Sequence, residues 1–99
     1  MGMYVTITKS KGLSRELAER VHGFLDDFLP RLKAQPGVAK ILHGGSPDGG
    51  DAFTIILWET ADDAKRYRES ALIREPMALE QELGLASTRD GFEVTQHLG

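Results

Sequence analysis

The chain is 99 residues long, 40% hydrophobic and 27% charged, with a net charge of −3 and no cysteine. That composition is neither disordered, collagen-like nor membrane-like, and it excludes disulfides, iron–sulfur ligation and thiol catalysis together. Twelve basic residues are scattered among fifteen acidic ones, so no electropositive stripe for nucleic acid forms.

Met3 to Lys9 alternates, with Met3, Val5 and Ile7 on one face and Tyr4, Thr6 and Thr8 on the other, which predicts a first strand. The chain enters this strand without a basic-then-apolar leader, and no apolar run nears the ~20 residues of a membrane span. The expected location is therefore cytoplasmic, with no membrane partner. Lys11–Gly12 turns the chain and Ser14 suits a helix N-cap. Leu17, Val21, Phe24, Leu25, Phe28 and Leu32 then form the stripe of an amphipathic helix. Pro30 predicts a kink or an early stop, because its ring clashes with the carbonyl four residues back. Pro36–Gly37 closes the segment.

Val38 to His43 reads as a second strand and Ala52 to Glu59 as a third, joined by the turn-forming stretch GGSPDGGD in a hairpin with a long, mobile loop. Gly45 and Gly50 stand at phosphate-loop spacing, but Asp51 replaces the lysine and a strand follows, so the loop is read as a turn. Ala52, Ile56 and Trp58 face one way along the third strand, and Phe53, Ile55 and Leu57 the other. A strand apolar on both faces is buried on both. A chain this small covers one face with its helices, so a second copy of the sheet is expected on the other.

Thr60 and Asp63 form a capping box for a second helix, with Ala64, Tyr67 and Ala71 inward and the Asp62–Arg66 and Lys65–Glu69 pairs in solvent. A break near Ile73–Arg74 precedes a short third helix with Pro76 in its first turn, ending at Gly84. Asp90–Gly91 is read as a turn into a last strand, Phe92 to Leu98. The order β-α-β-β-α-β is the split βαβ arrangement: an α+β, ferredoxin-like fold with a four-stranded antiparallel sheet, in one domain over residues 1–99.

Trp58–Glu59 running straight into the capped helix ETADDAKRYRES, with the Pro36–Val38 turn upstream, resembles the dimeric α+β barrel superfamily, and within it proteins of the antibiotic-biosynthesis-monooxygenase type. The resemblance covers nearly the whole chain, but it consists of element order, one tryptophan and one turn. It implies a homodimer through the sheet face, with a small-molecule cavity between each sheet and its own helices. It further implies monooxygenation of a small aromatic or quinol-like compound without metal or organic cofactor. Haem-degrading members need an asparagine on the first strand and a histidine about ten residues past the tryptophan. This chain has no asparagine, and Arg68 stands at that position. An arginine cannot ligate haem iron.

The ligand-pocket candidates are Trp58, Tyr67, Arg68, Thr6, Thr54, His43 and His97, with no catalytic residue assigned and no metal site expected. Trp58 serves either as a cavity wall or as core filling. Tyr67 inward leaves Arg68 at best flanking. His43 and His97 fall near the ends of strands at opposite sheet edges, where only a dimer contact joins them. His22 and Asp26 lie one helical turn apart, yet no third ligand stands out. No Ser-His-Asp triad or nucleophile elbow is present. The competing expectation is a non-enzymatic ligand-binding or structural dimer. Convergence of Thr6, Thr54 or Arg68 on an open cavity beside Trp58 discriminates the two.

Overall fold

The structure is a computed structural model describing residues 2–98. Its elements run β1 (Tyr4–Lys11), α1 (Arg15–Lys33), β2 (Val38–Gly45), β3 (Ala52–Trp58), α2 (Ala61–Arg68), α3 (Arg74–Leu83) and β4 (Ala86–Glu93). All neighbouring strands are antiparallel in the order β2-β3-β1-β4, which is the ferredoxin-like sheet. Among the described residues, no helix is long and apolar enough to cross a membrane.

Ser14 caps α1 as expected, its hydroxyl accepting from Leu17 N at 3.1 Å. Pro30 neither stops nor shortens this helix, which continues to Lys33. A proline inside a helix costs about 3 kcal/mol. Here it is bracketed by Phe28 and Leu32, 2% and 1% exposed, and burying each contributes roughly 1.5–3 kcal/mol. Arg31, beside the proline, also forks onto Glu75 of α3 at 2.7 and 2.9 Å. Burial on both sides of the ring thus carries the helix through it.

The core gathers Phe28 and Leu32 of α1, Val38, Ile56 and Trp58 of the sheet, and Ala64 of α2. Thr60 caps α2 by accepting from Asp63 N at 3.1 Å, and its hydroxyl donates to the Asp63 carboxylate at 2.8 Å. Arg66 pairs with Asp63 at 2.9 Å rather than with Asp62. Ala71 is exposed, because α2 ends at Arg68, and Leu72 and Ile73 turn inward instead. The third helix starts at Arg74 and closes at Gly84 in a left-handed conformation (φ 64), as expected. The loop between β2 and β3, expected to be mobile, is cross-tied: Asp48 accepts from Ser46 Oγ at 2.7 Å and from Gly50 N at 2.8 Å.

The last strand lies six residues earlier than its composition indicated. β4 pairs with the whole of β1, from Lys11↔Ala86 to Tyr4↔Glu93. Asp90–Gly91 is therefore mid-strand and not a turn. A Cβ on Gly91 would collide with Tyr4 Oη and lie 2.8 Å from Cζ, so the glycine makes room for the Tyr4 ring.

Register sorts the sheet into two faces. Tyr4, Thr6, Thr8 and Ser10 share the helix-covered face with Trp58, Ile56, Thr54 and Ala52, while Val5 and Ile7 align with Leu57 and Ile55 on the other. Leu42 joins the outer face opposite Ile55, and Phe92 joins it opposite Val5. Among the described residues no element covers that apolar face, and Leu42 and Phe92 remain 53% and 52% exposed.

Candidate functional site

The mixed inner face of the sheet decides where the site lies. A strand carrying threonine, threonine and serine inward does not close against an apolar helix as valine or isoleucine would. A cavity of about 180 Å³ results between the sheet and the helices. Its floor is polar, with Thr6, Thr8 and Ser10 of β1, Thr54 of β3 and His43 of β2. Its roof is apolar, with Val21, Phe24, Leu25, Phe28 and Leu29 of α1. Tyr67 and Arg68 of α2, Leu79 and Glu80 of α3, and Arg89 of β4 complete the walls.

Five of the seven residues singled out from sequence line this space: Thr6, Thr54, His43, Tyr67 and Arg68. Trp58 does not line it but lies beneath, 0% exposed. Its indole Nε1 donates to Thr6 Oγ1 at 3.0 Å, and its ring sits 5.5 Å from that of Tyr67. The tryptophan thus fills the core and also seats two residues of the cavity wall. His97 is exposed in the segment after β4 and does not line the cavity. Because β4 ends at Glu93, His97 is not at a strand end as expected.

The polar groups on the floor are mostly paired with one another. Ser10 Oγ and Ser87 Oγ are 2.8 Å apart, and His43 Nδ1 is 3.1 Å from Thr54 Oγ1. Arg89 forks onto Glu80, with Nη1 donating to Oε1 at 2.7 Å. No hydrogen bond engages the Tyr67 hydroxyl among the described residues. Burial pushes this phenol up to about 12, with Glu80 and Glu75 adding to the rise and Arg89 opposing it, so it stays a hydrogen-bond donor.

His43 also borders a second pocket beneath the β2–β3 loop, where it meets His22 edge to face, ring centroids 5.4 Å apart. Burial is the main cause holding the His43 pKa below its ordinary value, and the neighbouring His22 adds to it. The imidazole is consequently neutral at pH 7 and has a nitrogen lone pair. His22 does not form a metal set with Asp26: among the described residues, no three histidine, aspartate or glutamate side chains gather as metal ligands.

Sequence reasoning missed Thr8, Ser10, Ser87, Glu80 and Arg89. The first two were legible as the polar side of the β1 alternation. Ser87 and Arg89 were hidden by placing the last strand too late. Glu80 and Arg89 are opposite charges flanking the Gly84 turn, which was the available signal for their pairing.

No family model and no curated protein matches this chain. Solved structures do match. A Deinococcus radiodurans protein assigned as an antibiotic biosynthesis monooxygenase superposes with a TM-score of 0.86 at 10% identity, covering 97% of this chain and 96% of that one. A point variant of SnoaB, a cofactor-independent oxygenase from Streptomyces nogalater, gives 0.79 at 14% identity, covering 99% and 98%. A dimeric ferredoxin-like protein from an uncultured marine organism gives 0.78 at 12% identity, covering 99% and 100%. At such identities the likeness concerns the backbone, and the chain has the ferredoxin-like α+β fold that these monooxygenase-type structures share.

Proposed function

We propose that this chain forms a homodimer through the outer sheet face and that each protomer binds a small aromatic or quinol-like compound, which it oxygenates without a cofactor. The cavity carries this reading: a polar floor opposite an aromatic and aliphatic roof suits a flat ring with oxygen on one edge. The likeness to a cofactor-independent oxygenase supports the reaction class.

For a phenol such as 1-naphthol the balance is simple. Naphthol and O2 give 1,4-naphthoquinone and water. The ring supplies the electrons, one oxygen atom enters the new carbonyl, and the other leaves as water with the two displaced hydrogens. The protein's part is to remove the hydroxyl proton and to exclude water. His43 is the group assigned to take that proton, since it is neutral at pH 7 and lines the cavity. Tyr67, which lines the same cavity and stays protonated, is the donor this reading uses to steady the developing oxyanion.

The test is a native mass spectrum followed by turnover of 1-naphthol under ¹⁸O2. A dimer with added mass, and quinone carrying one labelled oxygen at a rate above the protein-free control, is the expected result. Bound naphthol without labelled product would establish the second reading, a binding protein without chemistry. That reading is favoured by how fully the floor's polar groups are paired.

A further inference from the structure

Three charged side chains line the cavity, Arg68 and Arg89 against Glu80, while Asp90, paired with Ile7, turns its carboxylate to the outer face. The two arginines are not equivalent. Arg68 and Arg89 are both exposed as whole residues, but of the two only Arg89 is held in an ion pair among the described residues. Arg89 and Glu80 are 33% and 19% exposed on their side chains and are joined in a two-pronged ion pair. An arginine so placed is the natural receptor for a ligand carboxylate, through the same two-pronged geometry. Glu80 already occupies it.

We infer that Glu80 is a specificity-determining residue which, by occupying Arg89 from inside the chain, restricts this cavity to uncharged hydroxy- or keto-aromatic ligands and rejects aromatic carboxylates. The inference rests on the ligand-binding reading given above and adds the charge class of the ligand. A carboxylate entering the cavity gives up its hydration, and that loss is recovered only through a cationic partner. Taking Arg89 from Glu80 leaves the glutamate unpaired in the same partly dry space. A neutral hydroxyl meets no such penalty, because it carries no charge to desolvate and the floor hydroxyls, though mostly paired, keep a second donor or acceptor site. The size of the space agrees. At about 180 Å³ it lies below the ~300–1,000 Å³ of drug-sized sites, which fits one or two fused rings.

Glu80 holds this position on a lightly buried wall of the cavity. It stands on α3, a helix with no fully buried residue and no side-chain N-cap bond. Its other side-chain ties are the ion pairs Arg31–Glu75 and Arg20–Glu82, both between exposed groups.

The experiment compares two ligands of one shape, 1-naphthol and 1-naphthoate, by titration calorimetry at pH 7 with the full chain. The wild type should bind naphthol at least 10-fold more tightly. Glu80→Gln frees Arg89 and should tighten naphthoate at least 10-fold while moving naphthol by less than 3-fold. Arg89→Met provides an independent arm, weakening naphthoate further without loss of naphthol. Equal or tighter binding of naphthoate by the wild type overturns the inference while leaving the cavity reading standing. An unchanged ligand ratio in a folded Glu80→Gln protein removes Glu80 from the role. Binding of neither ligand overturns the cavity reading and the inference with it.

Discussion

Trp58 Nε1 donates to Thr6 Oγ1 across the β1–β3 pair, linking the largest fully buried side chain of the core to the floor of the cavity. The bond answers a need of the tryptophan, since a fully buried indole N–H without an acceptor costs about 1–3 kcal/mol. It also holds one hydroxyl rotor of the cavity in place.

Thr6→Val keeps the shape of the floor and removes that acceptor. Stability should fall by ~1–3 kcal/mol in urea unfolding at one fixed protein concentration. The Thr6→Val/Trp58→Phe double variant should lose less than the sum of the single variants, because it removes both partners of the bond. Strict additivity would show that the bond is energetically idle.

Gly91 and Tyr4 form a second coupled pair. A methyl at position 91 meets the Tyr4 hydroxyl and ring edge. Gly91→Ala should cost roughly 1–3 kcal/mol as overpacking. Adding Tyr4→Phe, which deletes the nearest atom, should return part of that loss in a double-mutant cycle.

This glycine also marks the limit of what the sequence revealed about the fold. Strand alternation, helix stripes, the Thr60 cap and the Gly84 stop depend on near neighbours, and all were legible. The start of β4 depends on the full length of β1 being paired, a long-range demand. Asp90–Gly91 has turn chemistry locally, yet the glycine is there because a tyrosine lies over it. The persistence of α1 through Pro30 is similar, since a local penalty is outweighed by burial of Phe28 and Leu32. In the site, the residues facing Trp58 and its helix could be named from periodicity. The Arg89–Glu80 pair had only a weak local signal, opposite charges on either side of the Gly84 turn, and placing it in the cavity required the correct face of a misplaced strand.

His43 predicts a response to pH. Its folded pKa lies below the unfolded value of 6.5, so the unfolded chain binds a proton first as pH falls. The stability that follows from a neutral His43 is complete above pH 6.5 and drains as pH drops through the folded pKa. Unfolding midpoints measured from pH 7.5 to 5 should decline, and His43→Gln should flatten that slope. Any turnover that uses His43 as the base should fall along the same limb.

At lower pH a different set takes over. Asp63, held below its ordinary value of 3.8 chiefly by the Thr60 hydroxyl, and Glu75, held below 4.5 chiefly by Arg31, both favour the ionised form when folded. Their contribution is present above those unfolded values and is lost as pH falls through the folded ones. Thr60→Ala should cost about 0.5–2 kcal/mol at pH 7 through the lost cap. It should also make the acid limb below pH 4 shallower. A parallel acid limb in the variant would count against the capping box as the source.

The outer sheet face carries the last prediction. Val5, Ile7, Leu42, Ile55, Leu57 and Phe92 lie on it by register, and nothing among the described residues covers them. Apolar surface of this continuity is costly in water and favours a partner of the same kind. Leu57→Lys puts a charge at its centre, opposite Val5 and Lys40. Across a two-fold interface the change occurs twice, so its effect is doubled. Sedimentation equilibrium should find the wild type dimeric and Leu57→Lys monomeric, with a thermal midpoint that no longer rises with protein concentration. Gln81→Lys, on the exposed side of α3, adds the same charge elsewhere and should leave the dimer intact. A monomeric wild type would mean that this face is stable when exposed, and the argument from the doubly apolar β3 strand would fail with it.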